Sequence, residues 1–349
     1  MWKYVLKRIG LALVTAFIIL SLTFILIQLL PFPQPQDLTK DGSFAYYEKQ
    51  TQLGYVVRFE EEQSDLGEKL WSYETQVNNK EVTYYFYEVP TLTQYGRWLK
   101  NIITKWDWGV SVKIEPNRSA ILIIGSKLPT SMKLNIISSL IAVPIGILLG
   151  IVAALKKNKP TDNIISTGVM ILISVPSFVL ITFLILILCY KTGWLPTEWP
   201  KPTAGIQEKI LGYIIPVTAL SLGSIAGYCR FTRAELCEVM SSEYLLLART
   251  KGLTKRQAIL RHALRNAMVP IVPSIIAEFL SIMGGSMILE NLYGIPGIGR
   301  LFVQALNGKD YNVLFVDMAI FTTFGLLAGV LLDISYGFID PRIRMGAKK

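Results

Sequence analysis

The sequence predicts an all-α polytopic membrane protein with six transmembrane helices and one small external α+β insert between helices 1 and 2. Three observations carry this. Hydrophobic residues make up 52% of the 349 and charged residues only 17%, too apolar and too poor in charge for an ordinary soluble domain. Several apolar runs are long enough to cross a bilayer, and the positive residues gather in short segments beside them. Between the first two runs the chemistry switches to Asp, Glu, Lys, Gln and Tyr. The formal net charge of +10 therefore orients a membrane protein, with lipid and not nucleic acid as its surroundings.

Residues 1–30 form the N-terminal transmembrane helix. Lys3, Lys7 and Arg8 precede an apolar run over 9–30, longer than the core of a signal peptide and followed by PFPQPQ instead of a small-residue cleavage site. The N-terminus is thus expected in the cytoplasm.

Residues 31–128 form the external insert. The stretch VTYYFYEV at 82–89 alternates as a strand does, and acidic residues such as Glu60, Glu61 and Glu62 keep its charge nearly balanced. Its length argues against a structureless connection and for a small folded unit. It contains no cysteine, and Cys189, Cys229 and Cys237 have no metal-ligand or disulfide spacing. No metal site is expected. Trp106 and Trp108 fit either an interfacial belt or a surface domain.

Residues 129–338 form a five-helix core. A second span over 129–155 ends in KKNK, and Pro144, Gly146 and Gly150 permit bending and close helix approach. A third span covers 164–190. Within it Pro176 removes one backbone hydrogen bond, which predicts a kink that is either a gating hinge or a packing bend. A fourth span covers 210–229, a fifth 270–289 and a sixth 312–338, with a glycine-rich turn, ENLYGIPGIGRLFVQALNGKDY, between the last two. Residues 339–349 are a cytoplasmic tail. Both termini are then inside.

Between the fourth and fifth spans lies a basic helical hairpin, 241–268. Ser241 or Ser242 can cap its first helix, Glu243 complements the positive helix end, and Gly252 supplies a left-handed residue at the break. Thr254 and Gln257 form a capping box for the second helix, along which Ile259, Ala263 and Ala267 share a face. Arg249, Lys251, Lys255, Arg256, Arg261 and Arg265 place the hairpin in the cytoplasm. Charge alone favours a helix lying on anionic headgroups, and the placed break and capping box reverse that preference.

Here the chain resembles a known family. The spacing of Glu243, Ala248 and Gly252, with ARTKGL at 248–253, HALRN at 262–266, YGIPGIGR at 293–300 and DPRIR at 340–344, resembles membrane subunits of bacterial ABC importers of the oligopeptide, dipeptide and nickel subfamily. The stretch 106–131 resembles the region preceding the second helix of those permeases. The resemblance implies six helices of the type I importer kind. It implies that the hairpin is the coupling helix, docking into an ATP-hydrolysing subunit through Glu243, Ala248, Arg249, Gly252, His262 and Arg265. It further implies a bacterial cell-membrane complex: a second homologous permease subunit, two ABC ATPase subunits that bind ATP and Mg, and an extracellular solute-binding protein delivering a peptide. This chain would hold no cofactor and no catalytic residue.

Other residues are weighed on their chemistry. GIPGIGR at 294–300 stops short of a phosphate loop, because Arg300 and Leu301 stand where Lys and Ser or Thr are needed. His262 is the single histidine and has no nucleophile or metal partner nearby in the sequence. Glu278 and Asp317 are pathway candidates because an ionisable group inside a span faces a polar cavity or a partner; helix-to-helix hydrogen bonding is the competing role for Glu278. Asp333 and Asp340 could pair with Arg342 or the coupling region. Two rival classes fare worse. A secondary transporter would show two similar halves with matching interrupted spans, and a membrane-embedded enzyme would need paired acids, Ser with Lys or His, or metal ligands.

Overall fold

The computed structural model describes residues 2–30, 32, 35, 39–63, 69–77, 80–281 and 285–339. These divide into two compact units, one drawn from 1–16, 122–305 and 317–349 and one from 17–121 and 306–316. Among the described residues five helices are long and apolar enough to cross a membrane, and a bent pair adds a sixth when taken as one span. The expected tail lies outside the described residues from 340 onward, together with Asp340 and Arg342.

The first helix, α1 (Trp2–Gln28), leaves Leu11, Leu13, Phe17, Leu22 and Leu26 exposed, as a lipid-facing span should. The next spans are α4 (Ala120–Leu155) and α7 (Ile206–Met240). The second span begins at Ala120, ahead of the expected Pro129. The apolar run AILIIG carries the helix through that proline with the loss of one backbone donor. Helices α4 and α7 meet backbone to backbone. A Cβ at Gly146 would fall 2.7 Å from Tyr228 Cβ, and one at Gly150 would fall 2.7 Å from the Cys229 carbonyl oxygen.

The third span is broken. Helix α5 (Pro160–Ser174) and α6 (Ser177–Ile185, running on as a π-helical turn through Lys191) meet at 100°. Val175 is extended at φ −85°, ψ 122°, because a following proline crowds the helical conformation of the residue before it. Pro176 then opens the next helix, where its missing N–H leaves no bond unmade.

The fifth span differs from expectation at both ends. It starts inside the hairpin with α9 (Lys255–Ala258), passes through a π-helical turn (Ile259–Ala263) and continues as α10 (Leu264–Ser281). Pro270 and Pro273 sit within it without breaking it. The described helix runs to Ser281, residues 282–284 lie outside the described residues, and Gly285 at φ 59° is no longer helical, short of the expected 289. The turn after it holds two helices, α11 (Met287–Leu292) and α12 (Ile298–Gly308), before the last span α13 (Tyr311–Ile339). Arg8 of α1 pairs with Asp333 of α13 at 3.1 Å; Arg342, a partner expected for that acid, lies outside the described residues.

The second unit contains the α+β insert. A three-stranded antiparallel sheet of order β1-β3-β2 joins β1 (Val56–Phe59), β2 (Lys69–Val77) and β3 (Lys80–Glu88). Helix α2 (Lys40–Leu53) is capped by Thr39, whose Oγ1 accepts from the Gly42 amide at 3.1 Å, and ends at Gly54 with φ 83°. Tyr47, Val56 and Phe86 are buried, and Trp71 stacks on Tyr47 with centroids 5.3 Å apart. Packing without disulfides holds this core. Burial also pushes the Tyr55 phenol up to about 12, while its hydroxyl donates to Asn312 Oδ1 at 2.7 Å. A last helix, α3 (Thr91–Lys105), follows the sheet.

Candidate functional site: the basic hairpin and the buried carboxylates

The hairpin has the predicted break and only part of the predicted capping. Gly252 sits at φ 92°, and a Cβ there would meet nothing within 4 Å, so the conformation alone calls for glycine. Thr254 Oγ1 accepts from the Gln257 amide while Gln257 Oε1 accepts from the Thr254 amide, closing the capping box. Ser242 stands at the N-cap of α8 (Glu243–Thr250) but does not cap it. Its hydroxyl instead donates to the Val239 carbonyl at 2.6 Å, and that of Ser241 donates to Glu238 at 2.8 Å.

The second limb is anchored. Ala258, Ile259, Ala263 and Ala267 are buried in a cluster with Ala154 of α4, Leu236 of α7 and Leu245 of α8. The first limb is not: Leu245 alone is buried, while Leu246 and Leu247 are 63% and 55% exposed. Glu243, Arg249, Gly252, His262 and Arg265 are exposed, and Ala248 is half-buried. The limbs therefore present leucines and cations together on a frame this chain itself fixes. His262 lies in the π-helical turn. Among the described residues no cluster of three metal-ligating side chains occurs.

That frame is tied by an ion pair sequence reading missed. Asp162, at the start of α5, is 1% exposed. It accepts from Arg233 Nε at 2.6 Å and Nη2 at 2.8 Å, from the Asn158 amide at 2.9 Å and from Ser166 Oγ at 3.1 Å. A forked Arg–carboxylate contact with every lone pair occupied is the arrangement that tolerates burial. Its signal in the sequence was an acid just after a helix-opening proline.

Glu278 is half-buried on α10 and bridges three helices. Its Oε1 accepts from Ser224 Oγ of α7 at 2.8 Å and Ser139 Oγ of α4 at 3.4 Å. It also lines an open recess of about 470 Å³ with Ser224, Tyr228, Phe231 and Ser274. The helix-to-helix hydrogen bonding weighed for it is made, beside that recess. Asp317 is fully buried on α13, with no hydrogen-bond partner for either oxygen among the described residues. The nearby Glu290, also unrecognised in the sequence, is 2% exposed and accepts from Ser131 Oγ at 2.7 Å and from the amides of Ser286 and Arg300 at 3.2 and 3.1 Å. It organises the glycine-rich turn: a Cβ at Gly297 would fall 2.3 Å from Glu290 Oε2. Pro176 stands at the break described above.

Fold and hairpin together define a multi-pass membrane protein that presents a basic, leucine-bearing hairpin. Residues 146–345 match the family described as binding-protein-dependent transport system inner membrane component. The chain belongs to that family. It is similar to the oligopeptide transport system permease protein OppB of Haemophilus influenzae, 33% identical over 346 residues, covering 99% of this chain and 100% of that one. It is also similar to the dipeptide transport system permease protein DppB of Bacillus subtilis, 31% identical over 349 residues and 100% of both chains. Its fold resembles a chain of an inward-facing MetNI methionine ABC transporter, with TM-score 0.51, 15% identity, 63% of this chain covered and 97% of that one.

Proposed function

We propose that this chain is one permease subunit of an ATP-driven, binding-protein-dependent importer whose cargo is an oligopeptide. It supplies half of the translocation pathway beside a second homologous permease. Two ABC ATPase subunits bind ATP and Mg and dock on the hairpin, and an extracellular binding protein delivers the peptide. The observation that carries this reading is the hairpin: exposed Leu246 and Leu247 beside Arg249, on a frame buried through Ala258, Ala263 and Leu245. Full-length similarity to oligopeptide and dipeptide permeases supports the cargo class.

Mechanistically, closure of the ATPase dimer would move the hairpin as a nearly rigid body, and because α9 is continuous with α10 the fifth span would follow. Glu278 would then line the path on that span, with Asp317 exposed only in another conformation. Orientation follows the positive residues: hairpin and both termini in the cytoplasm, insert outside. Impermeant labelling of Glu74→Cys but not Lys255→Cys in intact cells is the expected outcome.

The test is ATP hydrolysis by the complex reconstituted in vesicles. Binding protein loaded with oligopeptide should stimulate it. Stimulation by a nickel complex but not by peptides would overturn the cargo, and failure of any ATPase to co-purify would overturn the importer assignment.

A further inference from the structure

Helix α3 of the insert is amphipathic and packs on a membrane span along one edge. Its Tyr95 hydroxyl lies 2.8 Å from Ser21 Oγ, and its Trp98 ring stacks on Phe24 with centroids 4.8 Å apart. Both Ser21 and Phe24 belong to the apolar part of α1, whose span ends at Gln28. At 1.5 Å per residue, Ser21 lies about 10 Å inward from that end. The helix is therefore held at the depth of a membrane surface.

Its faces divide accordingly. Leu92, Leu99 and Ile103 fall on one stripe at helical spacing; Leu92 is 80% and Ile103 73% exposed. The opposite side carries Thr93, Arg97 and Thr104, with Lys100 and Lys105 flanking it. A recess of about 420 Å³ there is lined by Arg97, Lys100, Lys105, Trp98 and Trp108, with Asp107 the acid among its lining residues. Cations above an apolar stripe match a phospholipid: chains below, phosphate above.

We propose that α3 lies in the outer-leaflet surface, with Leu92, Leu99 and Ile103 among acyl chains and the phosphate of an anionic phospholipid in the recess beside Lys100 and Lys105. The insert is then a membrane-seated collar on the first span. Nothing in this depends on which cargo the complex carries.

The test uses the full complex in vesicles of phosphatidylethanolamine and phosphatidylglycerol, with Cys189, Cys229 and Cys237 replaced and transport retained. Nitroxides are placed by Leu92→Cys, Ile103→Cys, Thr93→Cys and Thr104→Cys. Oxygen, which concentrates in lipid, should relax the labels at 92 and 103 several-fold more than a water-soluble nickel chelate, with the preference reversed at 93 and 104. Preference for the chelate at 92 and 103 would show a solvated face, and protection from both reagents would show another protein covering it; either overturns the proposal. Native mass spectrometry checks the headgroup. The wild-type complex should retain phosphatidylglycerol and the Lys100→Glu, Lys105→Glu variant should lose most of it, whereas equal retention would overturn the recess as the phosphate site.

Discussion

The two limbs of the hairpin are neighbours in sequence and opposites in construction. Helix α9 is capped at Thr254, buries Ala258, Ile259, Ala263 and Ala267, and runs on into a membrane span. Helix α8 has no side-chain cap, buries Leu245 alone and leaves Tyr244, Leu246 and Leu247 bare. One limb is held by its own chain. The other has apolar surface that its own chain does not cover, the kind of surface that marks an interaction site. Gly252, between them, sets the angle at which the second presents the first.

Four variants test this contrast. The largest effect is expected from Leu246→Asp with Leu247→Asp, because apolar anchors at an interface commonly carry about 2 kcal/mol or more each, roughly 30-fold in affinity. ATPase co-purification should be lost while permease abundance stays unchanged; a fall in abundance would mean these leucines pack within the chain. Ala263→Leu should do the reverse. It forces extra volume into a fully buried site, costing about 1–3 kcal/mol, so thermal stability in detergent should fall before docking does. Gly252→Val should abolish transport with abundance and ATPase binding largely kept. The residue meets open space but must hold φ 92°, a strain of about 1–3 kcal/mol for a β-branched side chain. Normal uptake by this variant would show that the angle is unimportant. Thr254→Ala is the mildest, at about 1 kcal/mol for a lost cap, and should appear as faster amide exchange confined to 255–258.

What the sequence made legible was local. The break at Gly252, the capping box and the buried stripe Ile259, Ala263, Ala267 depend on residues within a few positions of each other, and the structure has them all. Ser242 shows the limit: a residue type suited to an N-cap spends its hydroxyl on the Val239 carbonyl behind it. The six spans were legible from apolar length, but their ends were not. A proline stops a helix at Pro176 and not at Pro129, Pro144, Pro216, Pro270 or Pro273, and that difference is set by packing beyond the local sequence. The carboxylate partnerships were least legible. Asp162 meets Arg233 across 71 residues and Glu290 meets Ser131 across 159, distances over which a single sequence carries no pairing signal.

Asp310 extends that lesson into time. Fully buried ahead of α13, its carboxylate accepts from Ser111 Oγ at 2.6 Å and from the amides of Val112, Lys113 and Ile114 at 3.2, 3.0 and 3.1 Å. The first of these donors emerges from the ribosome 199 residues before the acceptor. At about 5–20 residues per second the wait is about 10–40 s, during which four donors in that turn lack their carboxylate. The insert thus reaches its final form only once residue 310 has been made. An incomplete chain carries an open turn at 111–114 as a mark of its incompleteness. Chains ending before Asp310 should be cut there by added protease in pulse-chase experiments while full-length chains resist, and equal resistance would show that the turn closes without Asp310.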